Sequence, residues 1–441
     1  MGSSVVRRGC AAPRDGDDPP GRNLVAWPAG SEWRTRRWIE AGGPRLVASH
    51  IEARGRALRG RSGILRTFLA LIAAGASVGA AEASRSLTPQ TVTVNPAAAV
   101  APAATPTVSP APQLVVRGSR LLDGTGHAVQ LRGVSRAGFE YACVQDRPIA
   151  DGPVDDASIA AMTRWGINAV RLTLNGPCWL GDPLVPPRRR GPVYRAAVVD
   201  LVQRLHRHGL VVMLSLQWDA AGPAAVRTGQ LPMPDAVRGP AFWSSVAATF
   251  RAQDGVGFEL YSEPYSVSWS CWRDGCLVPP TQVPGKPAVP AYRAAGMQQL
   301  VDAVRNAGAR QPLLVSGLAW GNDLSGWSGH VPRDPLRSLV ASIHVYDRTR
   351  CHDEPCWTAT RAATAGAPLV ASELGDHTCT GALAVRFARW ADQHDASYLA
   401  WTWNPWDCTT GPALLKDWSG APTPYGAAWR EQLLSRRAAG T

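Results

Sequence analysis

Eight short apolar runs, separated by longer segments with helical spacing, constrain this chain more than any other feature. The runs are VQLRGVS (129–135), NAVRLTL (168–174), LVVMLSLQW (210–218), VGFELYS (256–262), PLLVSGL (312–318), LVASIHVY (339–346), PLVASEL (368–374) and SYLAWTW (397–403). Near-continuous apolar runs of this length suit strands buried on both faces, as in a parallel sheet. Between them lie DASIAAMTRWG (156–166), YRAAVVDLVQRLHRHG (194–209) and AYRAAGMQQLVDAVRNAGA (291–309), whose apolar residues recur every three or four positions. Several of these segments close on glycine, as helix C-termini prefer. Eight such units over roughly 300 residues predict an α/β fold of the closed (β/α)8 TIM-barrel type, a single domain spanning 113–441. An open doubly wound sheet is the alternative, but it needs a glycine-rich phosphate turn after the first strand, and RGVSRAGF is a poor match.

The residues ahead of this pattern read differently. Residues 1–53 have no clear periodicity and are rich in Arg, Gly and Pro. We read them as an unstructured extension arising from an over-long translation start, with a basic arm as the alternative. Residues 54–83 combine a basic RGRALRGRSGILR, a 13-residue apolar FLALIAAGASVGA and a small-x-small AEA, the pattern of a signal peptide. The apolar stretch is too short to span a bilayer comfortably. The single G-x-S-x-G of the chain, GASVG at 75–79, falls inside it and is no nucleophile elbow. Residues 84–112 are rich in Pro, Ala, Thr and Val and uncharged after Arg85, the composition of an extended linker.

Charge and cysteines agree with export. The net charge is +12, and residues 1–83 carry half of it, with thirteen Arg against seven acidic residues. The remainder has no dense basic stripe interleaved with aromatics, which argues against a nucleic-acid partner. Nine cysteines occur, and removal of residues 1–83 removes Cys10 and leaves eight, enough for four bridges in an oxidising compartment. Cys271/Cys276 and Cys351/Cys356 are close enough for local pairs, Cys379/Cys408 is plausible, and Cys143/Cys178 is then left over. CHDEPC at 351–356 is better read as a disulfide-closed loop than as a metal site. The expected mature protein is a secreted monomer with no stable membrane insertion and no metal or organic cofactor.

A barrel of this kind carries its chemistry at the C-terminal ends of its strands. Those ends hold Ser135 and Arg136, then Arg171, then Gln217 and Trp218, then Ser262 and Glu263. The later ones hold His344 and Tyr346, Glu373, and Trp401 and Trp403. Glu263 and Glu373 end the fourth and seventh strands, nearly opposite across the barrel mouth. Two carboxylates flanking a cleft lined with Trp and Tyr is the arrangement that glycosidic cleavage requires. One must be protonated to supply a proton to the departing oxygen, and the other must stay ionised. Eighteen tryptophans suit such a cleft, because flat rings stack on pyranose faces.

At this point the chain resembles glycoside hydrolase family 5, the family of many cellulases. The resemblance rests on INAVRLTLNGPCWLG, GFELYSEPY, ASIHVY, LVASELGD and WTWNPWDCTTGPALLKDW, in family order and covering nearly all of 114–427. It implies a retaining β-glycosidase, foremost an endo-β-1,4-glucanase acting on a β-linked polysaccharide or oligosaccharide. A β-mannanase, or a catalytically weakened carbohydrate-binding protein on the same fold, is the alternative. The resemblance assigns Glu263 as acid/base and Glu373 as nucleophile. It assigns Arg171, His344 and Tyr346 to orienting the nucleophile and sugar, and Trp401 to stacking beneath the sugar, with Trp403 its neighbour. Gln217, Trp218 and Ser262 complete the expected substrate-binding set. Three positions depart from the family pattern: Ser262 stands for its Asn, Gln217 for its His, and Ser372 for its Gly.

Overall fold

The computed structural model describes residues 110–438 apart from 224, 282–287 and 409–410. The expected extension at 1–53, the expected signal peptide at 54–83 and the expected linker up to residue 109 lie outside the described residues.

The eight apolar runs form one closed barrel of parallel strands. They are β1 (Arg132–Arg136), β2 (Ala169–Asn175), β3 (Val211–Trp218), β4 (Val256–Glu259), β5 (Leu313–Ser316), β6 (Leu339–Tyr346), β7 (Leu369–Gly375) and β8 (Ser397–Ala400). Each strand pairs with its neighbours in sequence, and β8 closes the ring against β1. The helices that follow them in turn are α1 (Asp156–Arg164), α2 (Pro192–Arg207), α3 (Arg238–Phe250), α4 (Met297–Asn306), α5 (Trp327–His330), α6 (Glu354–Ala363), α7 (Ala382–Gln393) and α8 (Pro424–Ala438). Local chemistry starts several of them. Asp155 caps α1 through the Ser158 amide, and Asp353 caps α6 through the Cys356 amide.

The core has two parts. One large cluster fills the sheath between strands and helices, with Trp179, Trp243, Trp272, Trp357 and Trp429 fully buried. A second fills the floor of the barrel, where Ala169, Val211, Met213, Leu314, Val340, Val370 and Leu399 meet Leu114, Val116 and Leu121. Val116 and Leu121 belong to a hairpin, Val115–Arg117 with Arg120–Leu122, and Leu114 directly precedes it; together they plug the N-terminal end. The floor is thus apolar and sealed, and polar side chains are left for the other end.

Three expected segments are corrected. The helix read over 291–309 begins only at Met297, because Tyr292–Ala294 pairs antiparallel with Cys276–Val278. Gly296 permits that junction, since a Cβ there would meet the Gly275 nitrogen at 2.3 Å. The fourth and eighth strands are also shorter than read, ending at Glu259 and Ala400. The chain beyond β4 still bonds to its neighbours, with Leu260 N donating to Leu314 O and Ser262 N to Leu216 O. Glu263 is therefore held at the barrel rim without being part of the ladder.

The eight cysteines of the barrel domain form four bridges: Cys143–Cys178, Cys271–Cys276, Cys351–Cys356 and Cys379–Cys408. Among the described residues no helix is long and apolar enough to cross a membrane.

Candidate active site

An arginine inside the barrel organises the site. Arg171, on β2, is completely buried. Its Nε donates to Glu259 at 2.6 Å and one terminal nitrogen donates to Glu373 at 2.7 Å. The other terminal nitrogen donates to Ser262 Oγ at 2.6 Å and Ser215 Oγ at 3.1 Å, with Gln217 Oε1 at 3.5 Å. Burial works against its charge, but Glu259 and Glu373 more than offset this, so the guanidinium is held protonated. Glu259 also accepts from Ser342 Oγ at 2.7 Å and Ser316 Oγ at 3.2 Å. Burial would push its carboxyl up, yet Arg171 and its other partners hold it at about 2. The sequence reading passed over Glu259, although an acid inside the buried run VGFEL was the available signal.

Glu373 stands on β7 just after a bulge. Ile343 pairs with Ala371 and His344 with Glu373, so Ser372 is the extra residue. A bulge re-aims the side chains beyond it. Ser372 Oγ bonds Ser342 Oγ at 2.7 Å, and Glu373 points at the mouth, where it takes bonds from Arg171 and from the Tyr346 hydroxyl at 2.8 Å. Gln217 is the extra residue of a second bulge, because Leu174 pairs with Leu216 and Asn175 with Trp218. Two of the three departures from the family pattern thus occupy bulges, where a side chain's aim depends on the local backbone.

Glu263 faces Glu373 through His344. The ring Nδ1 lies 3.1 Å from Glu263 Oε1 and 3.6 Å from Glu373 Oε2. One oxygen of each carboxylate and one ring nitrogen all fall within 4.8 Å of one another. Burial lowers the His344 basicity, but Glu373 and Glu263 outweigh it and raise the imidazole above its ordinary value. Burial raises the Glu373 carboxyl, against the pull of His344 and Arg171. On its far oxygen, Glu263 receives the Gln217 amide at 3.4 Å and the Gln230 amide in a shorter bond. Gln230 comes from the loop after β3, and no sequence signal pointed to it.

The remaining expected residues divide. Trp401 lies beside the half-buried Trp406, ring centroids 6.0 Å apart, and Trp406 continues to Tyr141 at 6.4 Å. Trp218 packs with Tyr141 in the same cluster. Ser262 is fully buried with its hydroxyl turned to Arg171, so it does not reach the cleft. Trp403 does not join the site. It is 1% exposed and packs edge-on against Trp165 of the sheath at 4.7 Å. The β8 ladder has ended by then, and Thr402 and Asn404 tie the segment to the Ser135 carbonyl and the Ala137 amide, so strand alternation no longer pairs Trp403 with Trp401. Arg136 also turns away from the site, lying 4.2 Å from the Trp418 ring.

Known proteins share the fold that carries this site. Endoglucanase E-5 of Thermobifida fusca is 22% identical over 331 residues, covering 71% of this chain and 62% of its own. A mannan endo-1,4-beta-mannosidase of Cellvibrio japonicus is 22% identical over 311 residues, covering 67% and 60%. The chain thus spans less than two thirds of the length of these relatives. Among solved structures, the beta-glucanase SdGluc5_26A of Saccharophagus degradans superposes with a TM-score of 0.56 at 18% identity, covering 75% of this chain and 95% of that one. It has also been solved in complex with cellotetraose. The family model described as cellulase (glycosyl hydrolase family 5) matches residues 122–407, and this chain belongs to that family.

Proposed function

We propose that the chain is a retaining β-glycoside hydrolase, foremost an endo-β-1,4-glucanase, with Glu373 as nucleophile and Glu263 as acid/base. The observation that carries this is the spacing of the two carboxylates, which bring oxygens within 4.8 Å of each other. Retaining sites hold their carboxyl groups about 5–5.5 Å apart, whereas inverting sites need about 6.5–9.5 Å to admit a water.

In the first step Glu373 attacks the anomeric carbon while Glu263 gives its proton to the departing glycosidic oxygen. Arg171 and Tyr346 hold Glu373 in one orientation and favour its ionised form. In the second step Glu263 takes a proton from water, which displaces Glu373 and restores the enzyme. His344 lies between both carboxylates and orients them through each exchange of charge. Trp401 offers the ring on which the reacting sugar stacks.

The glucan substrate is supported by the beta-glucanase and endoglucanase names of relatives, while the mannosidase among them supports mannan as the second candidate. Secretion is supported by the four disulfides, which suit an oxidising compartment. The test is hydrolysis of β-glucan, mannan and xylan by the purified chain, with the anomer released followed by proton NMR. We expect β-glucan to be cut first and the β-anomer to appear before mutarotation. Release of the α-anomer, or binding without cutting of any glycan, overturns the proposal.

A further inference from the structure

The two oxygens of Glu263 have different neighbours among the described residues. Oε2 receives amide N–H groups, from Gln217 at 3.4 Å and from Gln230 in a shorter bond. Oε1 meets the His344 ring, whose Nδ1 lies 3.1 Å away. The difference decides where a proton can sit. An amide N–H donates and cannot accept, so a proton on Oε2 would face two donors. The imidazole Nδ1 accepts in one tautomer and donates in the other. The Oε1 contact therefore holds one proton, on the carboxyl or on the ring.

Other groups fix both amides. Gln217 Oε1 lies 3.5 Å from an Arg171 nitrogen, and arginine has no acceptor, so the N–H end of Gln217 is left for Glu263. Gln230 is held through the backbone on both sides. Gly229 and Asp219 exchange N–H to carbonyl bonds at 2.9 Å in each direction. The Tyr261 hydroxyl accepts from Leu231 N at 2.9 Å and donates to Leu231 O at 2.6 Å. The Tyr265 hydroxyl donates to Gln230 O at 3.5 Å, and its ring stacks on Trp320 with centroids 5.0 Å apart. Trp320 N in turn donates to the Pro264 carbonyl at 2.9 Å, next to Glu263.

The loop that carries Gln230 is closed at its base by two buried carboxylates. Asp219, directly after β3, accepts from Asp235 N at 2.9 Å, and Asp235 accepts from Gly222 N at 2.8 Å. Asp219 has no exposed surface and Asp235 very little. Burying carboxylates is costly unless their oxygens are bonded. Here all four oxygens accept backbone N–H groups, the other two from Ala220 and Val237. What this arrangement fixes is the path of the loop, and the loop meets the catalytic groups through Gln230.

We propose that Gln230 is a positioning residue for the acid/base: with Gln217 it occupies Oε2 with amide donors and confines the transferable proton to Oε1. This rests on the glycosidase reading of the site. In the first step the Oε1–H bond breaks and the proton joins the glycosidic oxygen, which also takes the electron pair of the breaking anomeric C–O bond. Glu263 is left ionised with Oε2 still bonded. In the second step Oε1 takes a proton from the attacking water. Asp219 and Asp235 act at one remove, by holding the loop that presents Gln230.

The test removes the amide and varies the need for a proton. Gln230→Met keeps the length of the side chain without its N–H. On cellotetraose, kcat/KM should fall roughly tenfold, part of the 10²–10⁴ that a general acid supplies. On β-cellobiosyl fluoride, whose leaving group needs no proton, it should fall far less. Loss of folded protein lowers both rates alike, so equal losses overturn the proposal. Should the methionine variant not fold, Gln230→Asn withdraws the amide by one methylene and takes its place. Asp219→Asn should show the same bias more weakly, and equal losses there overturn the part given to the loop base. A second arm reads the proton without turnover. In infrared difference spectra between neutral and acid solution, the band missing from Glu263→Gln identifies the Glu263 carboxyl C=O stretch. With the proton on Oε1, Oε2 is the carbonyl oxygen, and its amide donors lower that frequency. Gln230→Met should raise it, and an unmoved band overturns the proposal. If the wild-type chain cuts no glycan, the glycosidase reading fails by itself and the infrared arm still decides where the proton sits.

Discussion

The two carboxylates of the cleft are held in opposite ways. Glu373 belongs to a strand, its side chain is 4% exposed, and Arg171 and Tyr346 fix it with ionic and phenolic bonds. Glu263 lies beyond the end of its strand, is 14% exposed, and is met by His344 and two neutral amides, Gln217 and Gln230. The contrast suits the roles proposed for the two groups. A nucleophile must keep one charge state and one aim, and buried charge-assisted bonds supply both. An acid/base must gain and lose a proton in each cycle, and a group with some solvent access exchanges that proton more readily. The same division runs through the loops, since the Glu373 side is built from the barrel ladder and the Glu263 side from the segments after β3, β4 and β5.

The sharpest way to break this comparison is to remove each carboxylate and vary the leaving group. Glu373→Ala should reduce turnover to background on every substrate, because no covalent intermediate can form. Glu263→Ala should lose roughly 10²–10⁴-fold on a glycan, yet much less on β-cellobiosyl fluoride, whose leaving group needs no proton. Azide should rescue the two variants with opposite anomers, α-glycosyl azide from Glu373→Ala and β-glycosyl azide from Glu263→Ala. A Glu263→Ala chain equally impaired on fluoride and glycan would remove the acid role. In the wild-type chain, burial raises the Glu373 carboxyl. The acidic limb of kcat/KM should therefore lie above the ordinary glutamate value of 4.5.

A second, smaller effect concerns the ionic support beneath Glu373. Glu259 shares Arg171 with it and has no exposed surface. Glu259→Gln should destabilise the chain by about 3 kcal/mol, the scale of breaking one partner out of a buried ion pair. The folded value of about 2 lies below that of an unfolded glutamate. Its contribution is therefore present above pH 4.5 and is lost as pH falls towards 2. Urea midpoints of the wild-type and Glu259→Gln chains should differ most near neutrality and converge in acid. A constant gap across that range would show that Glu259 acts through packing alone.

The difference between the two sides also explains what could be read from the sequence. Strand periodicity located β6 and β7, so His344, Tyr346 and Glu373 fell on one face by the register of a ladder. Glu263 was legible because it follows an apolar run and precedes Pro264. Gln230, Tyr265 and Trp320 were not legible, because they converge through loops whose path depends on backbone bonds such as Trp320 N to Pro264 O. Trp403 was misplaced for a related reason, since the eighth apolar run was read as strand through residue 403 although β8 ends at Ala400. The bulges at Gln217 and Ser372 left no trace in periodicity at all, although each changes which way the following side chain points.

The finest test of the comparison lies at Ser262, which precedes Glu263 but bonds Arg171, the arginine that holds Glu373. Its Oγ accepts from Arg171 at 2.6 Å, while the same nitrogen also reaches Ser215 Oγ at 3.1 Å. Ser262→Ala therefore removes the shortest of three acceptors from a charged donor, leaving Ser215 Oγ and Gln217 Oε1. A net loss of about 1 kcal/mol is the scale of one such bond, or roughly fivefold in kcat by transition-state arithmetic. Ser262→Asn should act in the other direction. The family's residue is longer than the buried serine, and the expectation is that its amide extends past the Arg171 bond into the cleft. There it reaches the sugar 2-hydroxyl, whose hydrogen bonding strengthens in the transition state. On β-glucan kcat should then rise about tenfold with KM little changed. A fall in kcat, with loss of stability, would mean that Ser262 belongs wholly to the Arg171 cluster and that the acid/base side has no use for the longer residue.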